Sequence, residues 1–244
     1  MKEKDQDLLE TVEEVFDTQT VMTIYEIMRK GYMSKLYGVI STGKEARVYW
    51  AKNRKGEDVA VKIFLTTTSE FRRSIRMYID GDPRFKGVSG DIRKLIYTWA
   101  RKEYKNLQKM YEVGVRVPKP IYQLRNVLLM EFIGEDGVRA PLLKEVELDL
   151  DEALKIFNIL KYYVAKLYHV AKLVHADLSE YNVMLYYEEP VLIDVSQAVH
   201  VDHPMSGYFL RRDVRNLVRY FKEEVGLNIP SEDEVLEEVL KWKG

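Results

Sequence analysis

Residues 173–200 read LVHADLSEYNVMLYYEEPVLIDVSQAVH. The pieces NVMLY and PVLIDV have the length and apolar content of two short strands. Yet Asp177, Asn182 and Asp194 stand among them, at the edge of what should be a core. A carboxylate placed there is costly unless it is paired or binds a cation. The stretch therefore asks what cation or partner these groups serve.

Outward from this span the chain changes character twice. Upstream, DLDEALKIFNILKYYVAKLYHVAKLVHADL opens with acids suited to a helix N-terminus. Leu154, Phe157, Ile159, Leu160, Tyr163, Val164 and Leu167 follow at helical spacing. Downstream, from about residue 207, two helices flank GLNIPSED, where Ser231 is suited to an N-cap. Closer to the N-terminus, YGVISTGKEARVYWAKNRKGEDVAVKIFL alternates apolar and polar residues, with NRKGED as the turn between two strands. GVRVPKPIYQLRNVLLMEFIG repeats that style, with RN as a hairpin turn. Residues 92–112 read as helix. Residues 66–91, polar, charged and Gly-containing, read as an insertion that is at least partly mobile. Residues 5–30 read as helix with a break and a new N-cap at Asp17 and Thr18. The fold class is α+β: N-terminal helices over 1–36, a small β-rich lobe over 37–134, and a mainly helical lobe over 135–244.

The composition narrows the function. The chain has 244 residues, 46% of them hydrophobic, enough for a sizeable core. A net charge of −1 gives no global polyanion-binding signature. The absence of cysteine removes disulfides, thiolate metal sites and cysteine nucleophiles. The acidic start MKEKDQDLLETVEEVF lacks the apolar core of a signal peptide, and no apolar run is long enough to span a membrane. A soluble, cytoplasmic protein without membrane contacts is expected. Two basic clusters stand out: Arg72, Arg73 and Arg76, then Arg211, Arg212, Arg215 and Arg219. They are solvated helix faces or, on the sharper reading, docking sites for RNA phosphates.

Phosphoryl transfer needs held phosphates, a metal ion and a carboxylate that orients the nucleophile. Lys62 in VAVKIF sits on an expected strand and can hold phosphates if a helix glutamate holds it. Glu103 in TWARKEYKNLQKM is preferred for that partner over Glu70, which falls in the insertion. STGKEARVY contributes Ser41 and Gly43 at a turn where backbone amides can approach phosphate. His175, Asp177, Leu178 and Asn182 spell H-x-D-L-x-x-x-N, and Asp194 closes VLID. This is the catalytic-loop and metal-binding order of the protein-kinase fold. Asp177 would orient or accept the hydroxyl proton. Asn182 and Asp194 would hold Mg²⁺, or Mn²⁺ in its place, and His175 would be a packed structural residue. LLMEFIG ends the small lobe and would offer the adenine of ATP a backbone edge at Glu131 and Ile133. Met130 would stand behind the base, with Val48, Ala60, Met184 and Ile193 as walls.

Taken together, YGVISTGKEARVYWA, VAVKIF, WARKEYKNL, VLLMEFIGEDGVRAPLLK, LVHADLSEYNVML, LIDVSQAVHVDHP and FLRRDVRNLVRYF resemble the RIO family of atypical serine protein kinases, and within it the type-one branch. The resemblance runs from about residue 37 to 225. It implies a two-lobed kinase fold with a truncated helical lobe, using ATP and Mg²⁺. It also implies phosphorylation of serine, including self-phosphorylation in the insertion, with Ser89 and Ser69 as candidates. It implies a role in maturing the small ribosomal subunit, and ATPase activity through a transient phosphate on Asp194. Like that family, the chain lacks G-x-G-x-x-G, has DVS where other kinases have D-F-G, and shows no A-P-E. The residues after Asp194 leave little room for an activation segment and the lower substrate-binding helices. Which serine substrate it acts on stays open.

Three readings compete. The first is a protein serine kinase acting in ribosome assembly, contacting a pre-small-subunit particle through its basic clusters. The second is an ATP-gated binding switch whose main reaction is hydrolysis. The third is a small-molecule kinase of the same fold, disfavoured by STGKEA and the short tail.

Overall fold

The computed structural model describes residues 16–66, 75–86 and 91–244. The first described helix, α1 (Thr18–Lys30), begins where Asp17 accepts the Thr20 amide at 2.8 Å. It stops at Gly31, whose φ of 86° closes the last turn. Its Ile24 and Ile27 lie on one face and bury against a sheet.

That sheet has the order β1-β2-β3-β5-β4, each neighbouring pair antiparallel. The strands are β1 (Lys35–Thr42), β2 (Ala46–Lys52), β3 (Asp58–Phe64), β4 (Pro120–Leu124) and β5 (Val127–Glu131). β3 is central and covered on both faces. The two-residue period of a strand sends Val59, Val61 and Ile63 toward α1. Ala60, Lys62 and Phe64 therefore point to the opposite side, where α2 (Ile92–Glu112) packs. α2 is capped by Asp91, which accepts from the Arg93 and Lys94 amides. Asn126 ties the layers together, donating to Thr20 Oγ1 at 2.9 Å and to the Phe64 carbonyl at 3.0 Å.

Three α-helices and two short strand pairs build the second lobe around the opening stretch. α3 (Leu150–Lys166) starts at a capping box of Asp149 and Glu152. β8 (Leu173–Val174) pairs with β11 (Val199–His200), and β9 (Val183–Tyr186) with β10 (Glu189–Leu192). The β9–β10 hairpin returns the chain so that the Ile193 amide donates to the Asn182 carbonyl at 2.9 Å. Residues far apart in sequence, Asn182 and Asp194, thus arrive at one end of a hairpin. α4 (Ser206–Arg219) and α5 (Glu232–Lys241) close the lobe, α5 capped by Ser231. One apolar core runs through both lobes, from Phe64 and Trp99 to Phe157, Phe209 and Phe221. Among the described residues no helix is long and apolar enough to cross a membrane.

Three expectations change. The sheet begins at Lys35, and α1 seals the outer face of that sheet, so the first described helix packs as part of the small lobe. The described part of the 66–91 insertion is packed: residues 75–79 are helical, and Ile75, Tyr78 and Phe85 are buried. Tyr78 stacks on Phe209 at 5.1 Å between ring centroids. Charge dominated the reading of that segment, but Ile75, Tyr78 and Ile79 share one helical face. Ser69, Glu70, Arg72, Arg73 and Ser89 lie outside the described residues.

Between the lobes a two-stranded loop, β6 (Gly134–Glu135) and β7 (Val138–Arg139), turns the chain. A Cβ on Gly134 would lie 2.1 Å from the Val138 carbonyl oxygen, at a φ of 146°. Gly134→Ala should therefore destabilise the protein by ~2 kcal/mol. That corresponds to a fall in Tm of roughly 4–8 °C for a chain of this size. Gly207→Ala on α4, where nothing lies within 4 Å, should leave Tm unchanged or raise it. Thermal unfolding of the two variants checks the pair.

Candidate active site

The β3 register places Lys62 opposite Val48 and Leu128 and turns its side chain inward. The side chain is 8% exposed and its ammonium meets two carboxylates: Glu103 Oε1 at 2.9 Å and Asp194 Oδ1 at 2.8 Å. Burial alone would deprotonate it, but the charges of Asp194 and Glu103 reverse that and hold its pKa above the ordinary lysine value. Glu103 itself is pushed up to about 7 by burial, with Lys62 opposing. It reaches Lys62 because α2 packs against β4 and β5 on the face of the sheet toward which Lys62 points.

Lys62 stands at the inner end of a cleft of about 380 Å³ between the lobes. Ser41 near the end of β1 and Gly43 in the β1–β2 turn form its lip, with Val48 and Ala60 as the upper wall. Met130, Glu131 and Ile133 form its back, and Met184 and Ile193 its floor. Asn182 and Asp194 lie with Lys62 at the inner end. The Glu131 carboxylate is occupied elsewhere: Arg116 donates to it at 2.7 and 2.8 Å, and the Lys119 amide at 3.0 Å. The Glu131 amide is also engaged, donating to the Lys119 carbonyl at 2.9 Å. The Ile133 carbonyl accepts from the Ala140 amide at 2.9 Å.

Asn182 and Asp177 are joined directly. Asn182 Nδ2 donates to the Asp177 carbonyl at 2.8 Å and to its Oδ2 at 3.0 Å. This turns the Asn182 oxygen away from Asp177. Burial and the nearby Asp194 charge push the Asp177 carboxyl up to about 6, with Arg212 and Asn182 opposing. Asp194 is the reverse case. Partial desolvation at the inner end of the cleft raises it, but the Lys62 ammonium and the Ser196 hydroxyl outweigh that and hold it below the usual carboxylate range. Both of these donors fall on Oδ1, Ser196 Oγ at 2.9 Å, and the side chain remains 47% exposed. His175 is buried and its imidazole is pushed down to about 4, so it stays neutral and serves as packing.

Among the described residues no three acidic, histidine or cysteine side chains form an all-protein metal cage. An amide oxygen and a carboxylate oxygen facing a cleft nevertheless suit Mg²⁺, which takes hard oxygen donors and completes its shell with substrate phosphate and water. The same donors suit Mn²⁺. The residues present fit such an ion.

Two loops carry these groups, and each holds a strained residue: Ala176 at φ 66° and Asp194 at φ 53°. Non-glycine residues there cost about 1–3 kcal/mol and persist only where neighbours fix them. For the first loop the neighbour is α4. Asp213, buried, accepts the Ala176 amide at 2.7 Å and the Leu178 amide at 3.0 Å. Burial still pushes its carboxyl up to about 7, those amides opposing. Arg212 donates to the Ala176 carbonyl, and Asn216 to the Leu178 carbonyl at 3.0 Å.

Sequence reading missed Asp213 and Asn216, and it read Arg212 as part of a solvated helix face or a docking cluster. The signal was present: Asp213 falls on the stripe of Phe209, Leu210, Val214 and Leu217, where a solvated acid does not belong. The rest of that basic cluster is also largely engaged within the chain. Arg211 pairs with Asp233 and Glu232, and Arg219 with Glu180 and Glu224, while Arg215 is exposed. Arg76, the described member of the other cluster, pairs with Asp80 at 3.3 Å.

Comparison with known proteins bears on this geometry. A family model described as the RIO domain matches residues 47–234. The RIO-type serine/threonine-protein kinase Rio1 of Haloferax volcanii is 42% identical over 224 residues, covering 92% of this chain and 76% of that protein. Its counterpart in Methanocaldococcus jannaschii is 39% identical, covering 88% and 73%. The human serine/threonine-protein kinase RIO1 is 40% identical over 86% of this chain, but only 37% of the human protein is spanned. The crystal structure of the Rio2 kinase–ADP/Mg²⁺–phosphoaspartate complex from Chaetomium thermophilum superposes with a TM-score of 0.66 at 22% identity. It covers 90% of this chain and 66% of that one, and at that identity it supports the fold.

Asp213→Ala should strand two buried amides beside the strained Ala176, each costing about 1–3 kcal/mol. Expected are a lower Tm and loss of turnover, whereas Asn216→Ala, removing one bond, should lose less of both. Melting curves and steady-state ATP turnover of both variants test the ranking.

Proposed function

Since the chain belongs to the RIO family of serine/threonine protein kinases, we propose that it transfers the γ-phosphoryl group of ATP to a serine hydroxyl with Mg²⁺ bound. The observation that carries this is Lys62, held between Glu103 and Asp194 at the inner end of an apolar cleft that Asn182 also lines, with Asp177 hydrogen-bonded to Asn182. Adenine would lie between Val48 and Ala60 above and Met184 and Ile193 below. Its edge would meet the backbone of Glu131 and Ile133, with Met130 behind it. Ser41 and Gly43 would cover the phosphates, and Lys62 would hold them by charge. Asn182 Oδ1 and Asp194 Oδ2 would hold the metal. When bound, Mg²⁺ (or Mn²⁺) would supply positive charge that offsets the negative charge developing on the phosphates during transfer. Asp177 would orient the serine hydroxyl and take its proton as the new phosphate ester forms. Its Asn182 hydrogen bond fixes the carboxylate for that task.

A second reading is favoured by the exposed half of the Asp194 side chain. Its carboxylate oxygen would attack the γ-phosphorus, ADP would leave, and water would then release phosphate from the aspartyl phosphate. ATP hydrolysis would in that case time binding to, and release from, a pre-small-subunit ribosomal particle. The particle itself is proposed from the type-one resemblance. Arg215, exposed on α4, is the member of its cluster best placed to meet rRNA phosphates.

Lys62→Ala should lower turnover about 10²–10³-fold, as expected for loss of a group that neutralises transition-state charge. Asp177→Asn should lower phosphorylation about 10²–10⁴-fold while sparing ATP binding. With γ-labelled ATP, acid-stable label on serine, including Ser89 or Ser69, supports the kinase reading. Hydroxylamine-labile label lost in Asp194→Ala supports the hydrolysis reading. Full turnover in Lys62→Ala would sink both. Arg215→Glu should weaken binding to small-subunit particles and flatten its salt dependence by about one unit of log–log slope. Filter binding across a salt series reads this, and an unchanged slope removes Arg215 from the interface.

A further inference from the structure

The loop that follows Asp194 packs against α2. Three polar residues of α2, Lys102, Glu103 and Asn106, are buried. All three are directed at residues 194–198. Glu103 reaches Asp194 through Lys62. Lys102 Nζ donates to the Ser196 carbonyl at 2.7 Å. Asn106 Nδ2 donates to the Val195 carbonyl at 2.9 Å and the Ala198 carbonyl at 3.1 Å.

A buried amide can in principle face either way. Here Arg84 decides, because its Nη1 donates to Asn106 Oδ1 at 3.0 Å. A guanidinium has no acceptor, so the amide nitrogen must face the loop. Arg84 is itself fixed by the Asp82 carboxylate, at 2.6 to 3.0 Å. Both belong to the insertion, whose Phe85 packs near Trp99 of α2. A chain of fixed contacts thus runs from the insertion, through α2, to the backbone that sets the angle of Asp194.

We infer that Arg84, Lys102 and Asn106 are positioning residues for the Asp194 carboxylate. They clamp the 195–198 backbone so that the strained Asp194 presents Oδ2 to Mg²⁺, and they make the insertion a working part of the metal site. Filling the helix–loop interface would not by itself require them: apolar side chains would fill that space at lower desolvation cost than a buried lysine and amide. The donors instead match the loop carbonyls one by one. This inference rests on the reading of Asp194 as a metal ligand.

The test measures metal binding directly. Mg²⁺ is titrated calorimetrically into the full-length protein saturated with a non-hydrolysable ATP analogue, and analogue binding is measured separately in EDTA. Asn106→Asp keeps the volume and the Arg84 contact but sets an acceptor against the two carbonyls. Arg84→Ala frees the amide without touching the loop, and that side chain is only 32% exposed in the fold. In both variants the Mg²⁺ dissociation constant should rise about 10- to 100-fold. Metal-free analogue affinity should stay within about twofold, since a displaced metal carboxylate leaves the adenine contacts intact. If Asn106→Asp fails to fold, Arg84→Ala decides. Wild-type Mg²⁺ affinity in folded variants, beside weakened affinity in Asp194→Asn, would overturn the clamp and leave the metal reading standing. Unchanged affinity in Asp194→Asn would remove the metal reading and the clamp together. Equal losses in the metal-free and metal-dependent titrations would show general loosening and would also overturn it.

Discussion

The buried Lys62 ammonium, held between Glu103 and Asp194, is the interaction on which the rest of the structure depends. A charge at that depth is tolerated only if opposite charges come to it with good geometry. Each partner must be delivered by a separate element. β3 fixes the direction of the lysine, α2 brings the glutamate from behind the sheet, and the β9–β10 hairpin brings the aspartate from the other lobe. The sheet register, the tilt of α2 and the closure of the two lobes are thereby tied to one cation. Nucleotide phosphates entering the cleft would meet a lysine that is already ionised and aimed.

The loops that carry Asp177 and Asp194 show how rigid scaffolding serves strained backbone. Ala176 and Asp194 both adopt left-handed conformations, and each loop is gripped by polar side chains from one helix. α4 offers Asp213, Arg212 and Asn216 to residues 176–178, and α2 offers Lys102 and Asn106 to residues 195–198. Both helices place these groups on otherwise apolar faces, so the polar residues are buried by the packing of their neighbours. Strain of about 1–3 kcal/mol per residue is held there because the surrounding core over-determines the backbone. The kinase cleft is in this sense an outcome of two amphipathic helices, each carrying a few misfit residues on its buried stripe.

The insertion belongs to the same frame. Ile75, Tyr78 and Phe85 extend the main core, and Arg84 reaches α2 through Asn106. Tyr78 also accepts from Arg212 at 3.3 Å, so the segment touches the scaffolding of both loops. A stretch that looks like surface by its charge is part of the architecture around the cleft.

The sequence by itself determined the elements and the order of the chemistry. Period-two alternation around Lys62, helical spacing over 92–112 and 150–167, and H-x-D-L-x-x-x-N with its following VLID are local patterns. Local patterns survive without knowledge of what packs on them. The preference for Glu103 followed from which segment could be helical, and the structure brings that residue to Lys62. The rest was decided only in three dimensions. Asp213 and Asn106 gain meaning from loops 35 and more residues away. The Glu131 carboxylate goes to Arg116 because the turn before β4 brings the guanidinium alongside it. Of the α4 arginines, a basic cluster on paper, Arg211 and Arg219 are paired with carboxylates of α5, Glu180 and Glu224, and Arg212 is turned onto the Ala176 carbonyl. Hydrogen bonds and ion pairs between distant segments are short-ranged and directional, so they follow from the tertiary arrangement and leave little trace in spacing.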